Sequence, residues 1–268
     1  AVIKNSKIRW SQSNGVLVLP PSNVSGDPLQ FNGNLVEGCL GTGMVLNSQW
    51  QPVTYKIVIE NNRFIRNARS IEHKAKGPTE FRNNVAIGNG QDAMLYCAEI
   101  ATSQVWSRDL VREMDCTLSI KQQLKLEAGT VLRLRDVSEV RVDGAGKLDA
   151  EGVVLTAAND AAGPGYWGSV IFARGNTGGG SLRHSLVLNS GKNSGGAVSV
   201  QSDGAVDVLY NMFLRTANAG VEVGASRNDK VMVAGYPFNE IARSSSTSVV
   251  RVARQARPRI HTNRMAGA

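Results

Sequence analysis

Aromatic side chains are scarce in this chain, 6% of 268 residues, whereas glycine occurs 28 times. With so few rings the core has to be thin and made of small and aliphatic side chains. That much glycine serves many turns, which favours β structure over α. Histidine and cysteine are rare too. His73, His184 and His261 lie far apart and suggest neither a triad nor a metal site. Cys39, Cys97 and Cys116 have no metal-ligand spacing, which argues against zinc, and no residue pattern calls for a cofactor. No apolar run is long enough to span a bilayer.

What is present is a series of short apolar or alternating runs. From Leu124 to Phe172 they are Val131-Leu132-Arg133-Leu134, Val140-Arg141-Val142, Val153-Val154-Leu155 and Ser169-Val170-Ile171-Phe172, separated by Gly, Ala, Asn and Asp. Each is too short for a stable helix and suits a strand. One such rung cannot bury its apolar face, but stacked rungs can, which predicts a solenoid. Earlier in the chain Asn61-Asn62-Arg63-Phe64-Ile65-Arg66-Asn67 recurs as Asn83-Asn84-Val85-Ala86-Ile87-Gly88-Asn89, each followed by a short strand. Asparagine tolerates the left-handed backbone of a tight corner, and stacked amides can hydrogen-bond in ladders, so these residues read as corner pieces. Later, Gly196-Ala197-Val198-Ser199-Val200 repeats as Ala219-Gly220-Val221-Glu222-Val223. Alternation then puts Val198 and Val200 inside, above Val221 and Val223.

Between these stretches the pattern breaks. Across residues 98–117, Val105, Trp106, Leu110, Val111 and Met114 stand at helical spacing, so a short helix or an irregular covering loop is expected there. The domain reading is therefore residues 1–97 as β-helix rungs, 98–117 as interruption or cap, and 118–268 as a second β-helix stretch with a basic tail. Cys97 and Cys116 flank the interruption and could close it as a disulfide, implying an oxidising compartment; separately buried thiols are the alternative. The opening residues Asn5 to Trp10 already read as the middle of a rung, which favours a piece of a longer chain.

The run LEAGTVLRLRDVSEVRVDGAGKLDAEG, followed by NDAAGPGYWGSVIF, resembles the opening rungs of right-handed parallel β-helix repeat proteins, the pectate-lyase-like solenoids of large bacterial secreted and surface proteins. The matching residues are Leu126, Gly129, Thr130 and Val131; Gly146, Leu148, Ala150 and Gly152; and Pro164, Gly165, Trp167, Gly168, Val170 and Phe172. Ala128 stands where the family usually has Pro. The resemblance implies an all-β fold and an extracellular or cell-surface setting. It is poor for function, because this architecture carries both enzymes and inert scaffolds. Tyr166-Trp167 could form a sugar-stacking platform, but in that motif the Trp-Gly pair marks a turn into a strand and the ring packs at a corner, the reading preferred here.

Three roles follow as expectations. The first is a structural or adhesive element that associates with itself or with neighbouring chains through its terminal rungs. The second is a polysaccharide lyase or glycoside hydrolase, which would need converging carboxylates on one outer face. The third is a segment of a trimeric phage tailspike. For the enzyme the densest carboxylates, Asp136, Glu139, Asp143, Asp149 and Glu151, fall at rung edges. Glu222 beside Arg215 is the one outer-face pair that invites a check for a cleft. No catalytic residue is therefore assigned.

The formal net charge of +8 attracts anions, and Arg243, Arg251, Arg254, Arg257, Arg259 and Arg264 crowd the C-terminal tail. Guanidinium forks there would suit an anionic polysaccharide or lipopolysaccharide. Nucleic acid is disfavoured, since no aromatics are interleaved with these arginines. Asn23-Val24-Ser25 matches a glycosylation acceptor.

Overall fold

The structure, a computed structural model, describes residues 1–19, 27–48, 56–75, 77–136, 138–192, 196–224, 231–234, 240–242, 250–252, 258–261 and 264–265. Among these residues every paired strand is parallel to its neighbour and no helix occurs. The chain is an all-β solenoid. One 11-stranded sheet runs its full length, from Val16–Val18 to Arg264–Met265. Four shorter sheets complete the coils. Two, of four strands each, belong to the N-terminal coils and end at Thr79–Arg82 and Val85–Ile87; the other two, of seven and six strands, begin at Gln104–Trp106 and Leu118–Ile120.

The interior consists of residue files stacked in register. Leu124, Leu148, Gly180 and Val206 form one file of the seven-stranded sheet, and Leu126, Ala150, Leu182 and Val208 form the next. In the six-stranded sheet Val170, Val198 and Val221 stack, as do Phe172, Val200 and Val223, all of them buried. The register of Val198 over Val221 and of Val200 over Val223 is the one that alternation predicts. Ser199 points the other way, yet it too is only 1% exposed, so the outer face of this sheet is covered there.

Corners are made by residues in the left-handed backbone region. One N-terminal column holds Asn5, Gly33, Asn61 and Asn83, and a second holds Trp10, Gly38, Arg66 and Gly88. The next residue of the first column points inward and builds a ladder of buried amides. Asn34 N–H and Nδ2 donate to Asn62 Oδ1 at 2.9 and 3.1 Å, and Asn62 repeats this to Asn84 Oδ1 at 3.2 and 3.0 Å. The ladder ends on a carboxylate, with Asn84 N–H donating to Asp109 Oδ2 at 3.1 Å. A second ladder runs from Cys39 N–H through Asn67 to Asn89, and Asn89 donates to Asp92. Each amide pairs backbone groups that the corner would otherwise bury without partners.

The segment 98–117 is not helical. It carries the strands Gln104–Trp106 and Arg112–Met114. Spacing misleads here because two three-residue strands with a turn between them place their inward residues, Trp106, Leu110 and Met114, four apart. Cys97 and Cys116, which follow neighbouring strands of the through-running sheet, are joined by a disulfide, and Cys39 is a buried free thiol.

Candidate functional site: a polar groove at the seam

The coil changes its cross-section within residues 88–117, and the exchange of sheets creates a seam. Thr79–Arg82 is the last strand of one sheet and Gln104–Trp106 the first of another; they lie side by side with no ladder between them. Side chains span the gap instead. Gln104 Nε2 donates to the Gly77 carbonyl at 3.5 Å, and the Ser107 hydroxyl, whose proton goes to Asp109 Oδ1 at 2.6 Å, also lies 3.4 Å from the Phe81 carbonyl.

On the outer surface over this seam lies a groove of about 640 Å³, lined by Glu80, Arg82, Gln104, Gln123, Lys125 and Glu127 among others. Its walls follow from strand alternation. Glu80 and Arg82 point outward from one edge strand, and Gln123 and Lys125 from the neighbouring coil, while Thr79, Phe81, Leu124 and Leu126 face the core. Val105, 51% exposed, pairs in register with Lys125 and gives the groove an apolar spot. Glu80 is held by Lys56 and Arg82, each at 2.6 Å, and Gln123 donates to Asp149 at 2.9 Å. Lys125 and Glu127 are exposed. The groove therefore offers amides, cations and carboxylate oxygens together: donors and acceptors for a hydroxyl-rich chain, with positive charge for acidic groups.

Behind the groove the interior is polar. Trp106 donates from Nε1 to Gln104 Oε1 at 2.9 Å, Tyr96 packs edge-on against Trp106 with ring centroids 4.8 Å apart, and His73 stacks on Tyr96 at 4.7 Å. The Arg112 guanidinium lies over the Trp106 ring, 4.9 Å from its centroid, and the side chain is wholly buried. Burial sets the ionisation here. It pushes the His73 imidazole down to about 3, with the Arg112 charge adding to the effect, and pushes the Tyr96 phenol up. It also lowers Arg112 to about 10, opposed by Asp109, so the guanidinium is still a cation at neutral pH. Sequence reasoning missed Arg112 because its neighbours in that file, Met94 and Leu132, are apolar. The available signal was the Arg112-x-Met114 alternation in step with Leu132-x-Leu134.

The residues singled out from sequence do not come together at this site. Asp136 is paired with Lys192, Asp143 with Lys121 and Arg141, and Asp149 with Lys147. Glu222 faces Arg251 across a ladder at 3.9 Å, and Arg215 sits at a left-handed corner with φ 54°; no ion pair joins Glu222 to Arg215 among the described residues. His184 stacks on Tyr210 at another corner, ring centroids 5.0 Å apart. Trp167 is buried and donates to the Leu188 carbonyl at 2.6 Å.

Of the tail arginines, Arg251 and Arg259 are exposed on strands and Arg264 lies in the last strand of the through-running sheet. Arg243, Arg254 and Arg257 fall outside the described residues, as does Asn23-Val24-Ser25. Among the described residues no group of His, Cys, Asp and Glu is placed to hold a metal ion. No family model, no curated protein and no solved structure matches the chain.

Proposed function

We propose that the chain is a rigid element of a larger extracellular or cell-surface assembly, of the right-handed, pectate-lyase-like kind, and that it holds an acidic polysaccharide in the seam groove. The observation that carries this reading is the groove itself, where Arg82, Lys125 and Gln123 stand beside the carboxylates of Glu80 and Glu127. A uronate chain needs cations for its carboxylates and amides or carboxylates for its hydroxyls, and this lining supplies both. The net charge of +8 favours approach of such a polymer, and the disulfide fits an oxidising compartment. Continuity of one sheet through every described coil supports a rigid role.

The enzymatic reading keeps one specific support, the presence of Glu80 and Glu127 on the same groove. Calorimetric titration with acidic and neutral oligosaccharides tests the binding. Acidic chains are expected to bind and Lys125→Glu to abolish the heat; equal binding of neutral chains would reject the reading. Reducing ends or unsaturated products appearing during the same incubation would decide for a hydrolase or a lyase.

A further inference from the structure

The polar interior behind the seam is incompletely paired in one direction. Arg112 Nη1 donates to the carbonyls of Ser107 and Leu110 at 2.9 and 3.0 Å, whereas Nε and Nη2 have no hydrogen-bond partner among the described residues. Those two groups form one edge of the guanidinium plane, the fork that grips an anion side-on. Asp109 is the nearest acid, with Oδ1 4.0 Å from Nη2, and both its oxygens are engaged elsewhere. Oδ1 accepts from the Ser107 hydroxyl at 2.6 Å, and Oδ2 from the Asn84 N–H at 3.1 Å.

Two further polar atoms of the same cluster are buried without a partner among the described residues, the Tyr96 hydroxyl and His73 Nδ1. His73 Nε2 lies 3.1 Å from the Thr79 hydroxyl. If that hydroxyl donates, the imidazole carries its proton on Nδ1 and becomes another donor. A fully buried cation and a phenol, joined in that tautomer by the imidazole, thus present N–H and O–H groups without acceptors among the described residues, and each such group left unsatisfied destabilises the fold. A neutral water satisfies donors but adds no countercharge, whereas a small anion does both.

We propose that the seam encloses a site for one small monovalent anion of the halide class, gripped by Nε and Nη2 of Arg112 and completed by the Tyr96 hydroxyl and His73. Total burial of Arg112, and exposures of 2% or less at Tyr96, Trp106 and His73, restrict the guest to a compact ion taken up as the chain folds. The anion would tie together three successive strands of the through-running sheet, since His73, Tyr96 and Arg112 stand on neighbouring strands there.

The test uses the whole protein, unfolded and refolded in sodium chloride or in sodium gluconate at equal ionic strength. In chloride the apparent folding constant is expected to rise about tenfold for each tenfold of salt above the dissociation constant, with no such rise in gluconate. Arg112→Met removes the chloride dependence, and Tyr96→Phe weakens it. Crystals of wild-type protein refolded in sodium bromide give a readout that needs no variant: an anomalous peak against Nε and Nη2 of Arg112 is expected. Equal stability in the two salts, or density there without an anomalous signal, overturns the proposal.

Discussion

The coils before the seam and those after it solve the same corner problem with different chemistry. Before the seam one residue type is stacked on itself: Asn34, Asn62 and Asn84 form a continuous ladder that ends on Asp109. After the seam the equivalent corner is heterogeneous. Its left-handed positions are Gly129, Gly152, His184 and Tyr210. Its inward positions are Thr130, Val153, Ser185 and Asn211, linked by the Val153 N–H to Ser185 Oγ at 3.2 Å and the Ser185 N–H to Asn211 Oδ1 at 3.0 Å. A homogeneous ladder couples each rung to the next through two donors, the backbone N–H and the side-chain Nδ2 of one asparagine, on a single Oδ1, whereas the mixed corner passes single bonds. The N-terminal coils should therefore be the more sensitive to a single corner change.

Asn62→Ala is the sharpest way to break that contrast. It strips partners from the Asn34 N–H and the Phe31 carbonyl, both buried, and should cost about 3 kcal/mol, read as a shift in the denaturant midpoint. The next effect is acid sensitivity centred on His73. Its folded-state value, about 3, lies below the ordinary 6.5, so the unfolded chain takes up the proton first. Stability is then complete above about pH 6.5 and declines as pH falls toward 3; His73→Gln should flatten that slope in thermal melts.

Ser185→Ala, the corner change after the seam, leaves the Val153 N–H unpaired and should cost about 1–2 kcal/mol, less than Asn62→Ala. A cost equal to that of Asn62→Ala would erase the distinction between the two halves. The smallest effect is at Glu37, whose carboxyl is held below its ordinary value by the Arg66 hydrogen bond and the charges of Arg66 and Arg9. Its contribution is present above about pH 4.5 and lost as pH falls through the lowered folded value, so Glu37→Gln should lower stability slightly at pH 7 and by progressively less as the solution is acidified.

The same contrast explains what was legible in the sequence. Where asparagine stacks on asparagine the rung is visible as a repeat, and where valine stacks on valine the register of Val198 over Val221 follows from alternation. The seam was not legible. Its two strands mimic helical spacing, its buried arginine occupies a file of apolar neighbours, and its groove arises because one sheet ends at Arg82 while another starts at Gln104. Residues 80–82 and 123–127 meet only through that exchange, which no local pattern records. The tail arginines stood out instead because they are close in sequence.

Hydrogen exchange with and without an acidic oligosaccharide tests the central claim most directly, since it locates the ligand without presuming its sequence position. Binding at the seam should slow exchange in residues 79–83, 103–107 and 123–127 and leave the strands around Arg251 and Arg259 unchanged. Protection confined to those arginine-bearing strands, with none at the seam, would contradict the assignment of the groove.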